Sequence, residues 1–306
     1  MELKKTEIFA CTDLAKKIQK QVKIDAENFA KKNGRKPSLA VVLVGDDPAS
    51  HVYVRKKTES CIEHSIDYCD FKISSSTTED ELLKLIKKLN ADSKIDGILV
   101  QSPTPKHIDE RRVQACISPD KDVDGFHPMN AGELLIDAKK CLNEGLPPCT
   151  PAGVMEVLKE KNISLRGKHA VVVGRSTIVG KPMALMLLSE HATVTICHSQ
   201  TPDLAEECSR ADVLIAAVGR PQLINRTHVK KGAVVIDVGI NRLLENGKSK
   251  LVGDVHADDI SHLADLLTPV PKGIGPMTIA MLLRNTVRAA QRRKEKDLAL
   301  AKSPSA

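Results

Sequence analysis

Tryptophan is absent from the 306 residues, and aromatic side chains together make up 2% of the chain. The cores must therefore be aliphatic, packed from Val, Ile, Leu and Ala. The same scarcity removes the stacking platform that single-stranded nucleic acid needs, and no groove-reading motif occurs, so nucleic acid is not an expected partner. Eight cysteines stand at positions 11, 61, 69, 116, 141, 149, 197 and 208. None forms a C-x-x-C pair and none joins histidines at zinc spacing, which leaves no metal site to expect. They read as reduced, mostly buried thiols of a cytosolic protein. No apolar run is long enough to span a bilayer, and no N-terminal stretch reads as a signal or transit segment. The expectation is a cytoplasmic protein with no membrane partner. Internal repeats are missing too. The formal charge of +7 is modest and collects in terminal segments such as Lys16, Lys17, Lys20, Lys23 and Arg292-Arg293-Lys294. Such runs read as solvated helix faces, and the basic balance suits anionic small molecules.

What is present is alternation. A chain of 306 residues predicts two domains, each burying its own core. An amphipathic helix is expected over residues 12–32, with Leu14, Ile18, Val22 and Phe29 near one face. Strands at 39–45, 67–73 and 97–101 then alternate with helices at 48–64 and 79–90. Proline-rich residues 147–151 mark a break. Beyond it come a helix near 152–161 and strands at 169–173, 193–197, 213–218 and 233–238. Such alternation predicts an α/β fold with parallel strands and helical crossovers. The expected first domain is 1–148, completed by a C-terminal helix over about 276–296 that crosses back to it. The expected second domain, 149–275, is a Rossmann-like doubly wound sheet, followed by a flexible tail over 297–306.

The densest local signal is residues 170–182, AVVVGRSTIVGKP. A buried strand runs into Gly174 and a helix follows from about Ile178, the unit that cradles a pyrophosphate on helix N-terminal amides. The middle glycine of G-x-G-x-x-G is replaced by Ser176, and Arg175 sits inside the turn. The next strand ends in His198-Ser199-Gln200-Thr201, where an NAD-binding domain carries an acid for the ribose 2′-hydroxyl. No acid stands there. Arg175 and Ser199 can instead bind a 2′-phosphate, which a carboxylate would repel, so these residues point to NADP over NAD. Arg175 also fits a solvated loop cation.

In the first domain, Asp46-Asp47-Pro48-Ala49-Ser50 starts a helix. Ser50, Tyr53 and Lys57 then share one helix face at the carboxyl end of a strand. A phenol beside an ammonium can hold it and share its proton, which suits acid–base work. An amphipathic helix with a snorkelling lysine fits the same spacing. The strand 97–101 ends in Gln101 before Ser102-Pro103. The acidic loop Asp120-Lys121-Asp122-Val123-Asp124-Gly125 is wrongly spaced for an EF-hand. Asp124 fits either a carboxylate that accepts from a heterocycle's ring nitrogens and amino group, or a turn held by Asp side chains.

Together these segments resemble the bifunctional methylenetetrahydrofolate dehydrogenase/methenyltetrahydrofolate cyclohydrolase family. The matching stretches are Asp47–Lys57, Asp96–Gln101, Asp120–Phe126, Pro148–Pro151, Gly174–Pro182, Val235–Asn241, Val252–Val255 and Thr268–Thr278. They occur in family order and cover about residues 8–290. The resemblance implies two α/β domains flanking a cleft, tetrahydrofolate substrates held mainly by the first domain, NADP by the second, and a homodimer through the second. It also implies a place in one-carbon metabolism and purine biosynthesis. Carried onto this sequence, Lys57 is the catalytic lysine, Tyr53 its neighbour stacking on folate, Gln101 the partner that tunes Lys57, and Asp124 the anchor of the pterin ring. Ser50, Pro103, Pro271 and Gly275 complete the folate contacts, and Gly174, Arg175, Ser176, Ser199 and Ile240 contact the cofactor.

Three stretches depart from the pattern. Gln-Leu-Pro-Leu-Pro is here Gln101-Ser102-Pro103-Thr104-Pro105, a more polar pocket wall. Pro-Gly-Gly-Val-Gly-Pro is here Pro271-Lys272-Gly273-Ile274-Gly275-Pro276, which strains Lys272 if the replaced glycine has positive φ. The N-terminal Thr6–Cys11 lacks the common Asp-Gly turn. Two rival readings remain. One is another NADP-dependent dehydrogenase, which would need an Arg/His/acid set that is not assembled here. The other is a catalytically silent binding module, which the intact Lys57, Gln101 and Asp124 oppose.

Overall fold

The computed structural model of the protein describes residues 5–245 and 248–302. In chain order they form β1 (Glu7–Ile8), α1 (Thr12–Asn33), β2 (Ser38–Val44), α2 (Pro48–Glu63), β3 (Asp67–Ile73), α3 (Glu79–Ala91) and β4 (Gly97–Val100). Then come α4 (Glu110–Cys116), α5 (Pro128–Ile136), α6 (Ala138–Glu144), α7 (Cys149–Glu160), β5 (His169–Val173), α8 (Gly180–Ser189), β6 (Thr193–Cys197), α9 (Leu204–Ser209) and β7 (Val213–Ala216). The remainder is β8 (Val234–Asp237), β9 (Asn241–Glu245), β10 (Lys248–Val252), β11 (Leu266–Leu267) and α10 (Ile274–Lys302). Two compact units divide these elements. One consists of Lys17–Glu133, Lys140–Cys149 and Ile279–Ala306, the other of Met1–Lys16, Leu134–Lys139 and Thr150–Thr278.

The first unit is built on a three-stranded parallel sheet in the order β3-β2-β4. Its central strand, Ser-Leu-Ala-Val-Val-Leu-Val, is buried at every position, as a parallel strand covered on both faces must be. One face carries Ala40, Val42, Val44 and Ile98 against Leu82, Ile86 and Leu89 of α3 and Val113 of α4. A capping box starts α3: Thr78 Oγ1 accepts from the Glu81 N–H, and Glu81 accepts from the Thr78 N–H, satisfying two otherwise orphaned donors. The C-terminal half of α10 is pinned to this unit by Arg293, which donates to Ile95 O and to the buried Asp96 carboxylate; Arg35 holds the same carboxylate in a fork.

The second unit is a six-stranded sheet in the order β1-β11-β8-β7-β5-β6, with parallel pairing throughout. Val171, Val173, Leu214, Ala216, Val235 and Leu267 build one core face, with Cys208 of α9 packed on it. On the sequence of each strand these are alternate residues, as the pleat requires. The doubly wound parallel architecture expected from the alternation is therefore present, and two short strands extend it.

Several boundaries differ from expectation. The N-terminal β1 pairs with β11 at the edge of the six-stranded sheet, so these residues belong to the second sheet and not to the first. Its two residues are too few to show any period. The last helix does not give way to a flexible tail at 297 but continues to Lys302, because Lys294–Lys302 consists of good helix formers apart from Asp297. Residues 303–306 of that expected tail lie outside the described residues. The antiparallel β9–β10 pair was not anticipated, since its polar and charged residues hide any apolar alternation.

Candidate functional site

Both sheets contain a topological switch point, where successive crossovers leave one strand in opposite directions and ligands of open α/β sheets bind at the carboxyl ends. In the three-stranded sheet it lies between β2 and β4, on which α2 and α3 follow from β2 and β3. Gln101, the first residue after β4, is anchored there by its N–H to Val42 O at 2.8 Å. Across the same end, Lys57 of α2 donates from Nζ to Gln101 Oε1 at 2.9 Å in a partly buried bond. Gln101 Nε2 donates in turn to Ser102 O at 2.6 Å. Tyr53 lies one helical turn before Lys57 and is 39% exposed. Ser50 is on the same helix, and its side chain lies outside the described residues.

Asp124 reaches the same end because the loop before it runs beside β4: the Ile98 N–H donates to Lys121 O at 2.8 Å, and Ile98 bridges Asp122 in parallel. Burial pushes the Asp124 carboxyl up to about 6 from 3.8; the nearby Lys57 charge opposes that rise and Asp122 adds to it. Asp122 itself is consumed internally, accepting from the His127 N–H and Asn130 Nδ2. Gly125 has φ +76°, and a Cβ there would collide with the backbone of 146–148, so the loop closes tightly only with glycine. Behind it, Cys149 donates to Val123 O at 3.3 Å, while Asn285 of α10 donates to both Val123 O and Pro147 O. Burial, and then the neighbouring Asp124 carboxylate, raise the Cys149 thiol well above its usual value. Cys149 has no expectation beyond its place in the matched stretch Pro148–Pro151, and Asn285 lies in no motif, so neither is legible in the sequence as a support of Asp124.

In the six-stranded sheet the switch point lies between β5 and β7. Gly174 follows β5 with φ +129°, and a Cβ there would strike the Ala217 carbonyl oxygen at the end of β7. Ser176 Oγ accepts from the Val179 and Gly180 N–H groups at 3.1 and 3.3 Å. Its hydroxyl thus caps the start of α8, filling the place of the missing middle glycine with a side-chain turn. Arg175 is exposed beside it, and Ser199 is exposed one turn beyond β6. His198, read with Ser199 in the sequence, accepts from the Gln200 N–H through Nδ1 and serves its own turn. Ile240 is 46% exposed, and its Cδ1 lies beside Gly275, at 3.7 Å from the position a Cβ would take there. Pro271 is exposed in the loop before α10. Pro103 is exposed in the first unit, directly after Ser102. The structure thus brings Lys57, Gln101 and Asp124 together in one unit. It groups Gly174 with Ser176, and Ile240 with Gly275, in the other.

Two aspartates of this second site carried no sequence expectation beyond their place in the matched stretches. Asp237 accepts from the Gly239, Asp254 and Val255 N–H groups, and Asp254 from the Val218 and Gly219 N–H groups and Asn241 Nδ2. They tie the loops after β7, β8 and β10 together. Burial lifts Asp237 to about 7 despite its three donors. An aspartate closing an otherwise apolar strand was the available signal. Among the described residues no group of three or more His, Cys, Asp or Glu is placed to hold a metal ion, and no helix is long and apolar enough to cross a membrane.

Comparison with known proteins meets both halves. Residues 9–124 match the family model of the tetrahydrofolate dehydrogenase/cyclohydrolase catalytic domain, and residues 148–294 match that of its NAD(P)-binding domain. The chain is 54% identical over 279 residues to the bifunctional protein FolD of Acetivibrio thermocellus, spanning 91% of this chain and 95% of that protein. It superposes with TM-score 0.89 on the bifunctional FolD methylenetetrahydrofolate dehydrogenase/cyclohydrolase of Campylobacter jejuni, at 45% identity, covering 94% and 99% of the two chains. The Trypanosoma brucei methylenetetrahydrofolate dehydrogenase-cyclohydrolase, solved with NADP cofactor and inhibitor, superposes at 0.90 with 34% identity, covering 95% and 99%.

Proposed function

The chain belongs to the tetrahydrofolate dehydrogenase/cyclohydrolase family, and from that membership we infer that it oxidises 5,10-methylenetetrahydrofolate with NADP and hydrolyses the product to 10-formyltetrahydrofolate. The observation that carries the reading is the 2.9 Å bond from Lys57 Nζ to Gln101 Oε1 at the switch point of the smaller sheet. The residue roles that follow are our assignment.

The residues of the six-stranded sheet suit NADP. The Gly174 turn leaves no room for a Cβ, so the backbone alone forms the floor on which a pyrophosphate rests before α8. Arg175 and Ser199 are exposed where a 2′-phosphate needs donors, with no acid at that strand end. When bound, NADP supplies a hydride acceptor. Ile240 lies at its nicotinamide end. In the oxidation the nitrogen lone pairs of the substrate stabilise the cation that hydride loss creates, so the protein's contribution is positioning. Tyr53 supports the folate ring by stacking, and Asp124 accepts from the ring's nitrogen and amino hydrogens when deprotonated. Ser50, Pro103, Pro271 and Gly275 line the remaining folate contacts.

Hydrolysis makes a stronger demand on acid–base chemistry. Water adds to the methenyl carbon, a proton leaves that oxygen, and a ring carbon–nitrogen bond breaks as its nitrogen is protonated. Lys57 Nζ is the group that moves these protons, and Gln101 holds it by accepting one of its hydrogens. We further place the protein in the cytoplasm as a homodimer that supplies formyl groups for purine biosynthesis. The edge strand β6 of the six-stranded sheet, with Ile196 41% exposed and Leu188 of α8 59% exposed, supports pairing through the nucleotide-binding unit.

A two-part assay tests the function. NADPH should form when methylenetetrahydrofolate and NADP are added, and the absorbance of added methenyltetrahydrofolate should then decay. NADP binding with neither signal would identify a silent module instead.

A further inference from the structure

Gln101 precedes a loop with few backbone donors of its own. Residues 101–105 read Gln-Ser-Pro-Thr-Pro, and neither proline carries an N–H. The loop is held from outside by Glu110, the first residue of α4. One carboxylate oxygen of Glu110, Oε1, accepts from Ser102 Oγ at 2.9 Å, from the Thr104 N–H at 2.8 Å and from Thr104 Oγ1 at 3.4 Å. Glu110 is itself on a firm element: Asp109 caps α4 by accepting from the Arg111 N–H, and Val113 buries the helix against the α3 core.

The clamp continues to the reactive lysine. Ser102, fixed by Glu110 through its hydroxyl, offers its carbonyl oxygen to Gln101 Nε2 at 2.6 Å. That bond commits the amide nitrogen, so Oε1 is the atom left to face Lys57, whose Nζ donates to it at 2.9 Å. Were Ser102 to shift, the amide could turn its two N–H donors toward an ammonium that has no acceptor, and the bond would be lost. The two hydroxyls of the clamp are the residues at which this chain departs from the Gln-Leu-Pro-Leu-Pro pattern, where leucines could make neither bond.

We propose that Glu110 is a positioning residue for proton transfer at Lys57, acting through Ser102, Thr104 and the orientation of the Gln101 amide. The inference rests on the assignment of Lys57 to the hydrolytic step. It separates the two activities, because the oxidation asks for ring placement and not for a proton carrier.

The test uses the full chain with Glu110→Ala, Glu110→Gln, the double substitution Ser102→Ala/Thr104→Ala, and Lys57→Met. Both rates, KM for methenyltetrahydrofolate and Tm are measured on each. Glu110→Ala should lower the hydrolytic kcat roughly tenfold, a typical effect of a small misplacement, with KM and the oxidation rate within about twofold. Glu110→Gln keeps an acceptor oxygen and should restore most of the loss. The double substitution should fall between them, about threefold down, and it decides the matter if Glu110→Ala does not fold. Unchanged hydrolysis in Glu110→Ala and in the double variant would overturn the proposal, as would both activities falling together or no recovery with Gln. Hydrolysis surviving in Lys57→Met would instead overturn the assignment of Lys57. Loss there, with the clamp variants fully active, removes only the role of Glu110.

Discussion

The carboxyl end of β5 and the carboxyl end of β4 are the same topological device furnished in different ways. At β5 the features are backbone and surface: a glycine whose conformation no other residue adopts easily, amides at the start of α8, and exposed Arg175 and Ser199. At β4 they are side chains: a lysine, an amide and a raised carboxyl, each depending on neighbours from α2, the 120–125 loop and the segment behind it. The first arrangement suits a cofactor recognised by its phosphates, where a rigid anion-binding cradle suffices. The second suits acid–base chemistry, which needs groups whose proton affinity and orientation are set by their surroundings.

The sharpest way to separate the two ends is Lys57→Met. Hydrolysis of methenyltetrahydrofolate should fall by about 10³-fold while part of the NADP-dependent oxidation survives. Equal loss of both, with folate still bound, would merge the two roles that the comparison keeps apart. Gly174→Ala attacks the other end. Its Cβ would meet the Ala217 carbonyl at φ +129°, so a destabilisation of about 3 kcal/mol is expected, seen as a lower Tm. NADP-dependent turnover should be lost, and hydrolysis of added methenyltetrahydrofolate should persist within about threefold.

Asp124 sharpens the comparison by setting function against stability. Its carboxyl stands at about 6 in the folded protein against an ordinary 3.8. The folded state therefore holds this proton more tightly than the unfolded chain, so the group's contribution to stability declines as pH rises between those values and is lowest above them. Asp124→Asn should remove that decline and raise stability at pH 7 by about 2 kcal/mol. Binding of a non-reactive folate analogue should weaken in the variant, and in the wild type as pH falls below about 6. Titration by calorimetry at two pH values checks both signs. The smallest effect is expected at Lys272, which has φ +78°. Lys272→Gly should relieve about 1 kcal/mol of backbone strain and raise Tm by roughly 2–4 °C. No gain would mean that the exposed lysine is compensated by a contact of its own.

The two ends were also unequally legible. Gly174, Ser176 and the absence of an acid after β6 can be read from a dozen residues, because the strand–turn–helix that uses them is contiguous. Even there, the sequence showed Ser176 only as a substitution for glycine, while the fold shows it capping α8. The strain foreseen at Lys272 was conditional on a backbone angle, and the positive φ supplies the condition. At β4, the spacing of Tyr53 and Lys57 left a snorkelling lysine equally open until Gln101, 44 positions away, was seen to accept from it. Asp124 was open between a turn and a ligand anchor, and Asp122 turned out to hold the turn. Glu110 and Asn285 had no signal at all, and Cys149 none beyond its matched stretch, since each acts on a partner that is distant in sequence or through a backbone atom.

Composition and order of residues determined by themselves that this chain forms parallel α/β sheets, which family's motifs it carries, and where the Gly174 strand–turn–helix stands. Those features depend on periodicity and on short contiguous turns, whose physics is local. Tertiary structure alone decided which of the three first-domain candidates stand within reach of one another, that the Asp124 carboxyl rises, and that the edge strand β1 joins the larger sheet. Proton affinity and hydrogen-bond partnership are set by burial and by atoms from distant segments, and only the folded chain brings those together.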